Sequence, residues 1–383
     1  MRSMLMRSCG PNWPVFSPRR TVSLLFESRG GYPAWKNGRW ASPIDESGPR
    51  VRPAVRRDGG EPMPLRGSLA LGLMLSLMGC TIDLGSLTRV DPLKETRVRG
   101  EAGPKLVLLE IEGVISNRQR QSPLSPTRPS LVARAREALD LAAKDKHVAG
   151  LLLRIQSPGG TVAASETLYH EILRWKAENE KPVVAYMQGL ATSGGYYVAM
   201  AADRVIAHPT SVTGSIGVIM AGVNLSGLMQ RFGISDQTLK SGEFKDAGSP
   251  LRPMQPQERE QLQSVIDGLH ARFVEVVEQG RPGLEPAAVK RLADGRIFTA
   301  EQALKAGLVD EIGHLDYAIE VTEKLAQISE SQVVMYHRPG EYVENIYSRP
   351  PATPLQLVDI DVLSLTSDRL PAGFYYLWPP ALQ

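Results

Sequence analysis

Val148-Ala-Gly-Leu-Leu-Leu-Arg-Ile155 is a near-continuous apolar run that stops at Ser157-Pro-Gly-Gly-Thr161. A run of this length and composition, ended by a Pro-Gly-Gly turn, has the pattern of a strand buried on both faces. Before it, Leu131 to Lys144 has helical spacing (Leu131, Val132, Ala135, Leu139, Leu141, Ala142). After it, Ala163 to Glu178 repeats that spacing, with Leu168, Ile172, Leu173 and Trp175 on the apolar side. Pro182 to Met187 is a second buried strand, and Lys105 to Ile115 an earlier one. Ser116 to Pro129 holds three prolines and reads as a loop. Arg204–Ala207 reads as a short strand, with another in Gly214–Met220. Strands that alternate with helices imply βαβ units, right-handed crossovers and a mostly parallel sheet, so the fold class is α/β.

Such sheets place their sites at the carboxyl ends of the strands. Two turns fall there. One is the Pro-Gly-Gly turn after Ile155. The other is Gly189-Leu-Ala-Thr-Ser-Gly-Gly-Tyr-Tyr197, where a strand gives way to small and apolar residues of a helix. Ser193 sits at that second turn, flanked by Gly194 and Gly195, which let the backbone bend and another molecule approach. Free N–H groups at a helix start suit a nucleophile whose attack creates an oxyanion. The same residues also suit a simple helix cap at a tight turn.

The chain has 383 residues, is 42% hydrophobic and carries a formal net charge of +3. That positive charge is an end effect. Residues 1–62 hold ten Arg and one Lys against five Asp or Glu, and the chain from Cys80 onward is net negative. The body therefore shows no nucleic-acid footprint. Residues 1–62 are rich in Arg, Pro, Gly and Ser, and are expected to be disordered or to lie upstream of a true start at Met63. Residues 63–79 have the layout of an export signal: a short basic stretch, the apolar Leu69–Met78, and Gly79 before Cys80. Leu77-Met78-Gly79-Cys80 resembles a bacterial lipobox, with Met78 larger than usual at its position. The expectation is a lipidated Cys80 that tethers the chain to a membrane, a tether over residues 80–104, and a body exported to the bacterial cell envelope. The apolar stretch is too short to span a bilayer as a helix. Cys9 and Cys80 are the two cysteines, so a lipidated Cys80 leaves no disulfide and no cysteine metal site.

Further along, Gln257 to Gln279 is an amphipathic helix, Thr299-Ala-Glu-Gln302 is a capping box, and Ala318 to Leu325 is expected to close the domain. Val333 to Tyr336 is strand-like. A proline-rich tail ends in the aromatic Phe374-Tyr-Tyr-Leu-Trp378, for which the sequence offers no role.

A nucleophilic serine needs a base. None of the six histidines (His147, His170, His208, His270, His314, His337) follows a buried strand with an aspartate in prospect, and His208 lies nearest in sequence. A lysine can serve if it is held neutral, against an ordinary pKa of about 10.4. Lys245 lies in the glycine-punctuated Ser241-Gly-Glu-Phe-Lys-Asp-Ala-Gly-Ser-Pro250. Its context alone does not single it out. Neither a zinc-protease helix motif nor a phosphate-binding loop is present, and no cofactor or metal is expected.

Taken in order, SPGGT, GLATSGGYYVAMAADRVIAHPTSVTGSIGV, LKSGEFKDAGSP and GRIFTAEQALKAGLVDEIG resemble the signal peptide peptidase A family, the S49 serine peptidases, over residues 105–325. The resemblance implies a Clp peptidase- and crotonase-like fold with a Ser-Lys dyad. It puts the nucleophile on Ser193, the base on Lys245 and the lysine-positioning serine on Ser215. The oxyanion hole falls on the N–H of Gly194 and that of Gly159 or Gly160. It also implies peptide substrates of the remnant-signal-peptide type. One copy of the fold resembles the short members, which assemble into homo-oligomeric rings or domes. Residues 326–383 are then a C-terminal extension of unknown role. The other readings are a crotonase-type acyl-CoA enzyme, which needs no export signal, and an inactive ring scaffold.

Overall fold

The computed structural model describes residues 90–122, 125–348 and 373–379; the expected signal, Cys80 and residues 1–62 lie outside them. In chain order the strands are β1 Lys94–Arg99, β2 Lys105–Glu112, β3 Arg120–Ser122, β4 Ser125–Arg128, β5 Val148–Ser157, β6 Gly159–Thr161, β7 Val183–Thr192, β8 Arg204–Ala207, β9 Val212–Gly214, β10 Ile297–Thr299, β11 Glu311–Ile312, β12 Gln332–His337 and β13 Tyr375–Leu377. The helices are α1 Leu131–Lys144, α2 Val162–Asn179, α3 Gly194–Ala199, α4 Ser226–Arg231, α5 Pro256–Gly280, α6 Pro286–Leu292, α7 Ala300–Lys305 and α8 Leu315–Leu325. Among the described residues no helix is long and apolar enough to cross a membrane.

The main sheet runs β1-β12-β2-β5-β7-β8-β11, and β9 and β10 extend it beside the far end of β7. Every neighbour from β12 to β11 is parallel. β1 and β10 are antiparallel additions. This is the mostly parallel α/β architecture that the alternation of elements predicts, and it agrees with a Clp peptidase- and crotonase-like fold.

Alternation along each strand sorts the core into two layers. Val107, Leu109, Leu151, Leu153, Ile155, Val183, Ala185 and Met187 face a large cluster with α1, α2, α3 and α5. Leu106, Leu108, Leu152, Val184 and Tyr186 face a smaller one with α8, Val343 and Ile346. Covering on both sides explains why β5 reads as a near-continuous apolar run.

Arg154 is the exception in that run. It is buried on the second layer, directly across from Glu110 in the β2–β5 register. Its guanidinium pairs with the Glu110 carboxylate and donates to the carbonyls of Ile346 and Ser348. Burial pushes the Glu110 carboxyl up, and the charge of Arg154 opposes that. Arg154→Ala leaves Glu110 buried without its cation, so a loss of about 3–5 kcal/mol is expected. The measurement is the denaturant midpoint at an unchanged slope.

The structure departs from the sequence reading at four places. Ser116–Pro129, read as a loop, holds the short antiparallel pair β3–β4. Part of the 80–104 tether is the strand β1, an exposed and mostly polar edge that pairs with β12. Residues 332–337 join the main sheet beside β2, so the sheet reaches past residue 325 into the C-terminal extension. The strand expected within Gly214–Met220 instead ends at Gly214. Ser215 takes φ 51°, and only Ile219 returns to pairing, through one bridge to Tyr375.

Candidate active site

β7 divides its partners. Val184–Met187 pairs with β8, and Leu190–Thr192 pairs with β9. This carries β7 beyond the sheet body and delivers Ser193 at its tip. The Ser193 N–H donates to Gly214 O at 2.7 Å, and Tyr197 N–H donates to Ser193 O at 2.8 Å, so strand end and helix start are both fixed there. Ser193 has φ 53° and ψ −115°, a conformation that costs a non-glycine residue about 1–3 kcal/mol. Strain of this kind is held where the surroundings over-determine it, as at the sharp strand-to-helix turns that present nucleophilic serines.

The Ser193 side chain is buried, at 1% exposure, and its Oγ has no hydrogen-bond partner. A buried hydroxyl without a partner costs about 1–3 kcal/mol. No histidine stands beside it. His208 Nδ1 lies 2.8 Å from Thr210 Oγ1, and its ring meets that of His314 edge-on at 5.0 Å.

The Pro-Gly-Gly turn lies against Ser193. A Cβ on Gly194 would come within 3.1 Å of Gly159 Cα and of Gly160 N, besides striking Ser165 Oγ. A Cβ on Gly159, at φ 103°, would lie 2.8 Å from Gly194 N and almost on the Tyr376 carbonyl oxygen. Glycine is required at both positions by close backbone approach. The turn is anchored by Ser157 Oγ, which donates to Gly113 O at 2.7 Å and accepts from Gly159 N at 3.1 Å. The backbone of Ile115 bonds β6 from one side, taking Gly159 O and Thr161 N–H. β13 pairs with β6 on the other.

Ser215 is buried, with its N–H on Arg296 O at 2.7 Å. Lys245 is placed differently. It lies on a single turn of 3₁₀ helix, Glu243–Asp246, and is exposed. The structure brings Ser193, Gly194, Gly159 and Gly160 together, but it does not bring Lys245 within hydrogen-bond distance of Ser193 Oγ. The base of the Lys245 loop is nevertheless firm. Asp246 takes Lys240 and Arg252, both at 2.7 Å, and Arg252 also reaches the buried Glu258. Arg252 beside Asp246 holds its carboxyl well below the usual range. No group of three or more potential metal ligands occurs among the described residues.

The model of Peptidase family S49 matches residues 176–329, which include Ser193, Ser215 and Lys245. A protein of Enterococcus faecium named for signal peptide peptidase SppA is 35% identical over 243 residues, covering 63% of this chain and 70% of that protein. A Synechocystis protein named as a protease is 37% identical over 230 residues, 60% of this chain and 77% of that one. The chain belongs to peptidase family S49. A protein of Methanocaldococcus jannaschii, also named as a protease, is 42% identical over 198 residues but is matched over only 63% of its length. Its family makes the chain a serine peptidase by class. Gly159 and Gly160 precede the S49 match, and they enter the site through their contact with Gly194.

Proposed function

We propose that the chain is a membrane-tethered serine endopeptidase acting through a Ser193–Lys245 dyad on apolar peptides such as remnant signal peptides. The observation that carries this reading is the strained, buried and unpartnered Ser193 hydroxyl against the Gly159–Gly160 turn. Ser193 Oγ attacks the peptide carbonyl. Lys245 takes the proton and returns it to the leaving amine, and Ser215 orients the lysine amine. Water then cleaves the acyl-enzyme. Gly194 N–H and Gly159 N–H are the proposed oxyanion donors. Gly159 N–H holds only a local bond to Ser157 Oγ, whereas Gly160 sits mid-strand in the β6–β13 ladder. Helix α3 has six residues, so the N–H groups themselves, rather than a long helix dipole, supply the stabilisation.

The exposed position of Lys245 gives assembly a role in this proposal. The arm between Met220 and Gln255 exposes Val223, Leu228, Phe232, Ile234, Leu239 and Phe244, with Leu239 at 98% and Phe232 at 73%. So many large apolar side chains exposed along one arm suit an interaction surface. Copies of the chain are proposed to cover the arm and to order Lys245 over a Ser193. Phe232→Asp with Leu239→Asp is expected to lower both the assembled mass in light scattering and the peptidase rate, by about tenfold or more, since each 1.4 kcal/mol is a factor of ten. The tether is proposed to be lipid on Cys80, with the body outside the cytoplasmic membrane.

The function is tested by incubating the assembled protein with apolar signal-peptide-like peptides and reading the products by mass spectrometry. Internal cleavage is expected. Intact peptides alongside a fully assembled protein would overturn the reading. Mass spectrometry of the mature N-terminus tests the tether: a lipidated Cys80 is expected, and peptides from residues 1–60 in mature protein would exclude it.

A further inference from the structure

The aromatic tail that the sequence left without a role lies in the site. β13 runs antiparallel to β6, with Tyr375 opposite Thr161, Tyr376 opposite Gly160 and Leu377 opposite Gly159. Trp378 N–H donates to Pro158 O at 2.9 Å, and Val162 N–H donates to Phe374 O at 3.3 Å. Those flanking bonds make Tyr376 and Gly160 the hydrogen-bonded pair between them. On its other edge Tyr375 exchanges two bonds with Ile219, at 2.9 and 3.0 Å. The segment is thus held between the glycine strand that touches Gly194 and the backbone four residues after Ser215. The Tyr376 carbonyl oxygen and Gly194 N crowd the same small space beside Gly159 Cα.

One side chain fixes the register. Tyr376 is fully buried. Its ring stacks on Tyr197 at 5.0 Å and meets Phe273 at 4.7 Å, and its hydroxyl donates to Leu269 O at 2.8 Å. Tyr197 lies four residues after Ser193. Its hydroxyl bonds Glu166, which Arg272 holds at 2.9 Å. The slot therefore has two aromatic walls, one of them held from behind, and a carbonyl at its floor. An apolar ring fits the walls, and a hydroxyl satisfies the floor. Backbone bonds along a strand carry no sequence preference, so in strand addition a side-chain slot sets the specificity.

We propose that Phe374–Trp378 is a resident pseudo-substrate: it fills the groove where a substrate peptide adds as a strand to β6, and the slot it occupies selects an aromatic residue, tyrosine above all. This rests on Ser193 as the nucleophile. The segment has to leave β6 before a peptide can lie across Ser193. The chain thereby limits its own activity, and the residue that fills the slot in the resting protein reports the residue preferred in a substrate.

The test uses the full chain with Ser193→Ala and a specific protease site introduced within residues 349–372. The chain is cut there and offered a fluorescent peptide of residues 373–379. Exchange of the peptide into the cut chain, but not the uncut one, is expected. Tyr376→Ala in the peptide is expected to weaken binding at least tenfold, and Tyr376→Phe by less. A second arm keeps Ser193: Tyr376→Ala in the intact chain is expected to raise kcat/KM on tyrosine-containing peptides at least tenfold. No exchange in a cut chain, whether its melting temperature holds or falls, would make β13 a permanent structural strand and overturn the proposal. Exchange indifferent to Tyr376→Ala would overturn the slot. Exchange is read without catalysis, so exchange with no hydrolysis in any Ser193 chain would leave the groove standing and overturn the peptidase reading alone.

Discussion

Ser193→Ala is expected to abolish hydrolysis of apolar peptides, by about 10⁴-fold or more, while leaving the fold intact or slightly firmer. The loss follows because Ser193 is the proposed nucleophile, and its hydroxyl forms the acyl-enzyme. What remains is catalysis by the oxyanion donors and binding alone. The stability follows from the geometry. Ser193 Oγ is buried with no partner, so alanine removes an unsatisfied hydroxyl and breaks no hydrogen bond made by that side chain. Relief of that group is worth about 1–3 kcal/mol. Alanine keeps a Cβ and so keeps the strain at φ 53°; Ser193→Gly would relieve it as well. The measurements are the peptidase rate and the melting temperature of the same preparations. A Ser193→Ala protein that cleaves at the parent rate would sink the nucleophile. One that loses activity because it has unfolded would instead make Ser193 a structural cap.

The backbone around Ser193 also marks where the sequence was legible. Apolar runs longer than a turn announced β5 and β7, and helical spacing announced α1 over the residues it occupies, because burial on both faces leaves few residue types to choose from. The Ser193 and Gly159–Gly160 turns could be placed at one sheet edge for the same reason. Several short strands escaped, among them β3 and β4 within the stretch read as a loop, and β1 and β13 show why. β1 reads Lys-Glu-Thr-Arg-Val-Arg, a polar edge that becomes a strand only because β12 offers it a ladder. β13 escaped because three residues carry no period, and their partner lies more than 200 positions away. The chemistry at Ser193 was legible to the extent that its backbone enforces it. The base was not, because nothing local to Lys245 distinguishes it from a solvated loop lysine, and only the order of the family motifs assigned it.

Lys245→Ala is therefore the sharper test, and a loss of about 10³–10⁴-fold is expected from removing the proposed general base. Lys245→Arg should fail nearly as badly. A guanidinium keeps the positive charge and the reach but does not give up its proton, so it cannot accept one from Ser193. A role confined to charge, whether in steering a peptide or in holding an interface, would instead be rescued by arginine. Neither substitution should move the melting temperature of the chain much, since Lys245 is exposed and surface changes are usually within about 0.5 kcal/mol. The arm variants separate the remaining cause of inactivity. Phe232→Asp with Leu239→Asp is expected to lower activity through lost assembly, and its rate should recover as protein concentration rises. Lys245→Arg should assemble normally and stay inactive at every concentration. If Lys245→Arg retains the parent rate, the dyad is wrong and Ser193 takes its base from elsewhere. If it is inactive and assembled, Lys245 stands as the group that takes the Ser193 proton.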